Sequence, residues 1–217
     1  MRYRILNAME NNIKNMQLTG IIEIDEKEMN ISFSGNHKIQ DKNSTLPRKP
    51  YIRGRKSLKH KIKTDFTDRI MICTAVDRDN HIFISVGKVG TTALKEGDVI
   101  DIYKPHLKEA TCLCSDGCYA YRALAKKLEI ELHAFTANSK EKRGIYHINH
   151  VNFIHKEIKD YFYLHHGISS KYLNEYFALI ANRSMNKLTD IKTGLYEIVK
   201  CNCSVRWKNY VHKANVI

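Results

Sequence analysis

The spacing of apolar residues changes along this chain in a definite order, and that order limits the fold more than any other feature of the sequence. In Ile21-Ile22-Glu23-Ile24-Asp25 the β-branched residues crowd together, which reads as a strand with Asp25 at its carboxyl end. Arg69 to Val76 and His81 to Val86 flank the turn formers Asp77-Arg78-Asp79-Asn80 and read as a hairpin. Thr91 to Leu107 fits a helix that turns Leu94, Val99, Ile102 and Tyr103 toward a core, with Gly97 counting against it. Ala110 to Ser115 reads as a short strand delivering Asp116 at its end. Gly117 permits a sharp turn there, into a helix from Tyr119 to Leu128. Glu131 to Phe135 reads as another strand.

The ends of this succession are helical. Leu6, Met9, Ile13 and Met16 recur at helical spacing within Met1 to Leu18, and Gly20 reads as the stop. From Asn149 to Tyr163 the apolar Val151, Ile154, Ile158 and Phe162 recur at spacings of three and four, so they share a buried face. Asn152, His155 and Lys159 share another. Gly167 interrupts, Ser169 and Ser170 can cap, and Lys171 to Ala181 resumes a helix through Leu173, Tyr176, Phe177 and Ile180. Strands separated by helices make the class α/β, with a helical C-terminal part. The expected organisation is an N-terminal helix over 1–18, a principal domain over 19–186 and a basic extension over 187–217.

Charge narrows the partners. Lys and Arg number 36 against 23 acids, a net charge of +13 that favours a polyanion, nucleic acid first and an anionic membrane surface second. Between Lys38 and Lys63 there are ten Lys or Arg and one acid, Asp41. A run of this kind is ordinarily a solvated loop, and a basic arm of the same composition holds DNA. No apolar stretch approaches the roughly 20 residues of a membrane span, and Met1 to Asn12 lacks the apolar region of a signal peptide. A cytosolic protein is expected, with Cys73, Cys112, Cys114, Cys118, Cys201 and Cys203 as reduced thiols. Their spacing is not that of a zinc ribbon, which needs paired CxxC.

Asp25 and Asp116 stand at strand ends, and Asn152 on a long helix offers a third oxygen. Two-metal phosphodiester cleavage needs a few such oxygens holding two divalent ions about 3.5–4 Å apart, and such hard ions prefer carboxylates and amide carbonyls. Spacing alone leaves the plainer reading open, since Asp at a strand end usually caps a turn. His155 and Lys159, taken by themselves, read as a surface histidine and a solvated lysine.

The stretch from Ile22 to Ser184 resembles the DDE-type insertion-sequence transposases, in particular a subgroup with asparagine as the third metal ligand. Glu23-Ile24-Asp25-Glu26 is similar to the family's first-aspartate strand. Ser34-Gly35-Asn36-His37-Lys38, Pro47-Arg48-Lys49 and Arg53-Gly54 resemble its basic connection, and Ser115-Asp116-Gly117-Cys118-Tyr119-Ala120-Tyr121 its second-aspartate turn. Lys142-Arg143-Gly144-Ile145-Tyr146-His147-Ile148-Asn149-His150-Val151-Asn152, continuing to Lys159, resembles the family helix in which asparagine is followed at three residues by His and at seven by Lys. Gly167-Ile168-Ser169-Ser170-Lys171-Tyr172-Leu173 resembles the segment after it.

The resemblance implies an RNase H-like mixed sheet flanked by helices, and a transposase that cuts and joins the DNA of an insertion sequence. It implies two Mg²⁺ or Mn²⁺ ions on Asp25, Asp116 and Asn152, with His155 near the phosphate and Lys159 clamping DNA. Lys38, Arg48, Lys49, Arg53, Arg55, Lys56, Lys142 and Arg143 would contact transposon-end and target DNA. A homo-oligomer on DNA, in the bacterial cytoplasm at the nucleoid, belongs to the same expectation. A neutral Asn oxygen leaves the ion pair less neutralised, which weakens ion binding and raises the positive potential offered to the phosphate.

Longer members of this group carry an amino-terminal zinc ribbon and a helix-turn-helix. Only 24 residues precede Asp25, fewer than the roughly 40 that a small domain needs, so both modules are expected to be missing, as in a truncated copy. Two other readings stay open: a non-catalytic DNA-binding remnant that competes for transposon ends, and a nuclease of the same fold acting on RNA.

Overall fold

The computed structural model describes residues 2–32, 34, 69–135, 144–166 and 168–185. In chain order they form α1 (Arg2–Lys14), β1 (Thr19–Asn30), β2 (Arg69–Asp77), β3 (Ile82–Val89) and α2 (Glu96–Tyr103). A 3₁₀ turn (Lys104–His106), β4 (Glu109–Ser115), α3 (Tyr119–Leu128), β5 (Glu131–Ala134) and α4 (Asn149–Leu164) follow. A second 3₁₀ turn (Ser170–Tyr172) leads into α5 (Leu173–Met185). The strands make one sheet in the order β3-β2-β1-β4-β5. β1, β2 and β3 are antiparallel neighbours, whereas β4 and β5 run parallel to β1. This is the mixed RNase H-like sheet that the resemblance implies.

Helices cover both faces. α1, α4 and α5 pack together on one side, and α2 and α3 on the other. A central strand therefore has to be apolar throughout, and β2 is buried at every position after Arg69. One core runs through the sheet, from Leu6, Met9 and Ile13 of α1 through Ile22, Ile24, Ile72 and Leu113 to Val151, Ile154 and Ile158 of α4 and Phe177 and Ile180 of α5. Among the described residues no helix is long and apolar enough to cross a membrane.

Several sequence expectations need correction. β1 does not end at Asp25 but continues to Asn30. Its parallel partner β4 stops at Ser115 while its antiparallel partner β2 continues to pair as far as Asn30↔Arg69. The polar run Glu26-Lys27-Glu28 thus lies on a strand with one neighbour in its second half. Gly20, which the sequence reads as a helix stop, lies inside β1 with φ +66°, where the β1–β4 register shifts. α1 has already ended at Lys14. α2 is shorter than Thr91 to Leu107 at both ends: it begins at Glu96, with Lys95 at its N-cap, and its last turn tightens to 3₁₀ at Pro105.

The hairpin, α3, β5 and α4 lie where the sequence places them, within a residue or two except that β3 runs three residues past Val86 to Val89. Cys73, Cys112, Cys114 and Cys118 are free thiols, the first three buried. Lys38, Arg48, Lys49, Arg53, Arg55, Lys56, Lys142, Arg143, Gly167, Cys201 and Cys203, and the extension over 187–217, lie outside the described residues.

Candidate active site

The last parallel pair between β1 and β4 is Glu23↔Cys114. Two residues further along each chain come Asp25 and Asp116, so the two aspartates stand side by side just beyond the end of β4. Gly117 turns the chain there with φ +87°, a conformation that costs a side-chain-bearing residue steric strain. Asp116 Oδ1 accepts a hydrogen bond from the Cys118 N–H at 3.1 Å, the turn-capping role that its position allows. Asp25 Oδ1 accepts one from the Glu26 N–H at 2.9 Å.

This neighbourhood resists negative charge. Burial, then the nearby Asp116 carboxylate, then Glu26, push the Asp25 carboxyl up to about 7. Its side chain is 17% exposed. Among the described residues no Lys or Arg forms an ion pair with Asp25 or Asp116. On the opposite face of β1, burial also raises Glu26, against a hydrogen bond donated by the Tyr121 hydroxyl of α3. The buried Tyr103 hydroxyl of α2 reaches the Asp25 and Thr74 carbonyls at 3.2 and 3.3 Å. Both helices behind the sheet thus anchor the segment that carries the two aspartates.

On the front face, α4 brings His155 Nδ1 to 3.4 Å from Asp25 Oδ2. His155 is buried, not the surface histidine that the sequence alone suggests. Burial lowers its pKa to about 4, so near neutral pH the imidazole is uncharged and the contact is not an ion pair. Its Nε2 is buried without a hydrogen bond. Asn152, one turn earlier, and Lys159, one turn later, are exposed. Neither side chain makes a hydrogen bond or ion pair among the described residues. The structure therefore brings Asp25, Asp116 and His155 together and leaves Asn152 and Lys159 on the exposed surface of the same helix.

Sequence reasoning gave no role to Arg78, His147 or His150, and used Glu23 only as part of a motif. Glu23, on the α4 side of β1 like Asp25, is fully buried. Its Oε2 accepts hydrogen bonds from the His150 and Val151 N–H groups, and its Oε1 pairs with Arg78. The available signal was an acid alternating with isoleucines on a buried strand, which demands a partner. Ligand atoms of Glu23, His147 and His150 lie within 4.8 Å of one another, as do those of Asp77, Asp79 and His81. Arg78 Nη1 already stands against the first trio. In the second, Asp77 accepts from the Thr19 and His81 N–H groups and meets the His81 ring.

The ISXO2-like transposase domain matches residues 17–184. The chain belongs to this family of DDE-type transposases. Solved structures with some likeness include several of Mos1 transposase. They include a pre-cleavage transpososome, at 10% identity and TM-score 0.31 over 94% of this chain and 63% of that one. The strand transfer complex stands at 12% and 0.30 over 94% and 62%. This transposase chain thus spans less than two thirds of those proteins. No curated protein matches it significantly.

Proposed function

We propose that this transposase domain cuts and joins DNA strands at the ends of an insertion sequence, using two Mg²⁺ or Mn²⁺ ions held by Asp25, Asp116 and Asn152. The observation that carries the reading is the placement of Asp25 beside Asp116, in a setting that raises Asp25 to about 7 and supplies no Lys or Arg partner among the described residues. A pair of carboxylates so placed fits hard divalent cations, and the exposed Asn152 amide, one turn from His155, adds a neutral oxygen. Held there, such ions would supply Lewis-acid activation of an attacking hydroxyl and stabilisation of the leaving oxygen.

The chain's own residues have separable tasks. Asp25 sheds its proton when it serves as a ligand. His155 keeps a neutral ring against Asp25 and fixes where that carboxyl points. Lys159, exposed on the same helical face, neutralises a backbone phosphate. Joining both ends of an element to one target calls for at least two copies, so the DNA-bound form is a homo-oligomer.

The deciding assay supplies pre-cut transposon ends at high concentration, so that cleavage and joining are read apart from end recognition. Nicking and joining of DNA with Mg²⁺ or Mn²⁺, and none in chelator, is the expected result. Tight end binding without cleavage in either metal would assign the chain to the non-catalytic reading, and cleavage of RNA alone to the ribonuclease reading.

DNA affinity is expected to rest on the basic segment from Lys38 to Lys63. Neutralising Arg48, Lys49, Arg53 and Arg55 together should flatten the slope of log affinity against log salt by about 0.9 for each phosphate that no longer has a cationic partner. A fluorescence-anisotropy titration at several salt concentrations reads this. An unchanged slope would give the segment another task.

A further inference from the structure

We propose that Glu23 and Arg78 form a latch that fixes α4 on β1 and so sets where Asn152 stands relative to Asp25; this rests on the metal-site reading above. Glu23 is fully buried and carries a carboxylate, a combination tolerated only with close partners. It takes them from the amino end of α4. Its Oε2 accepts hydrogen bonds from the His150 N–H at 2.8 Å and the Val151 N–H at 3.1 Å. These are donors of the first helical turn, which no residue inside the helix can satisfy. Ile148 stands at the N-cap and makes no side-chain hydrogen bond. The cap of α4 is therefore supplied from β1, 127 residues away.

Arg78 completes the latch from the turn between β2 and β3. Its Nη1 pairs with Glu23 Oε1 and lies 2.9 Å from His150 Nδ1. Its Nη2 donates to the Ile145 carbonyl at 2.9 Å. One guanidinium thus joins the hairpin turn, β1 and the segment leading into α4. It also supplies the cation for Glu23, His147 and His150, which otherwise have the spacing of a metal trio.

The consequence for the site follows from position. Glu23 and Asp25 lie two residues apart on one side of β1, roughly 7 Å along the strand. α4 is tied to the first at His150 and Val151 and meets the second at His155. Asn152 falls between these two points. Without the latch, the amino end of α4 keeps the apolar packing of Val151 and Ile154 but loses its polar tie to β1, and Asn152 can shift away from an ion held by the aspartates. Glu23 and Arg78 are positioning residues in this scheme and touch no substrate.

The test uses the full chain without DNA. Mn²⁺ affinity is read by electron paramagnetic resonance, and amide exchange at His150 and Val151 by hydrogen–deuterium exchange with NMR. Arg78→Gln should weaken Mn²⁺ binding about tenfold, as removal of groups behind metal ligands does, and should speed exchange at both amides. Arg78→Lys, which keeps the charge, should recover part of each. Should Arg78→Gln not fold, Arg78→Lys is compared with wild type directly, with smaller shifts in the same directions. A folded variant with Mn²⁺ affinity within twofold of wild type and unchanged exchange would overturn the latch. If wild type itself binds no Mn²⁺, the metal reading fails separately. Exchange then decides: faster exchange in the variant retains the latch, and unchanged exchange removes it.

Discussion

Asp25→Asn is expected to lower metal-dependent nicking by on the order of 10³-fold or more while making the metal-free fold more stable. The two effects have one origin. An ion requires Asp25 ionised, yet burial and the neighbouring Asp116 hold its carboxyl at about 7, against 3.8 for an ordinary aspartate. Because the folded state binds this proton more tightly than the unfolded chain, ionisation destabilises the fold. The penalty is absent below about pH 4, grows across the window between the two values and is complete above about pH 7. At about 1.4 kcal/mol per unit, and allowing for local relaxation, the neutral amide should gain on the order of 2–4 kcal/mol at pH 8.

Urea denaturation in chelator at pH 4.5 and at pH 8 reads the difference. The two proteins should be close in stability at the lower pH, with the variant ahead at the higher. A variant no more stable than wild type at pH 8 would remove the argument that Asp25 is strained by its surroundings. Asp116→Asn should match the drop in nicking, since it removes the other carboxylate.

How far the site could be read from the sequence depends on which contacts are local. α3 begins at Tyr119 in both readings, because Gly117 and the Asp116 turn fix its start within a few residues. The buried face of α4 was legible for the same reason, since Val151, Ile154 and Ile158 lie within two turns. The length of β1 was not. Whether Glu26-Lys27-Glu28 is loop or strand depends on a partner more than 40 residues away, as in the pair Glu26↔Cys73.

His155 shows the limit from the other side. Helical spacing groups it with Asn152 and Lys159, yet it is buried while they are exposed, and its contact with Asp25 is something only the packing of α4 on the sheet reveals. Glu23 and Arg78 were missed because their partners are separated by 55 and 127 residues and include backbone groups that have no sequence signature.

Metal affinity should follow a single proton. At the Asp25 value of about 7, an entering ion displaces that proton, so affinity should fall up to tenfold for each pH unit below about 6.5 and level off above about 7.5. Between pH 8 and pH 5.5 the decrease should be about 30-fold. His155 does not steepen the curve, because burial holds it at about 4 and it remains neutral throughout this window. Calorimetric titration with Mn²⁺ at pH 7, in buffers of differing ionisation enthalpy, should show about half a proton released when the ion binds Asp25. A slope near two would mean that a second titrating group is displaced with it. An affinity constant from pH 5.5 to 7.5, with no proton released, would take Asp25 out of the ligand set, and with it the pairing of Asp25 and Asp116 on which the proposed chemistry rests.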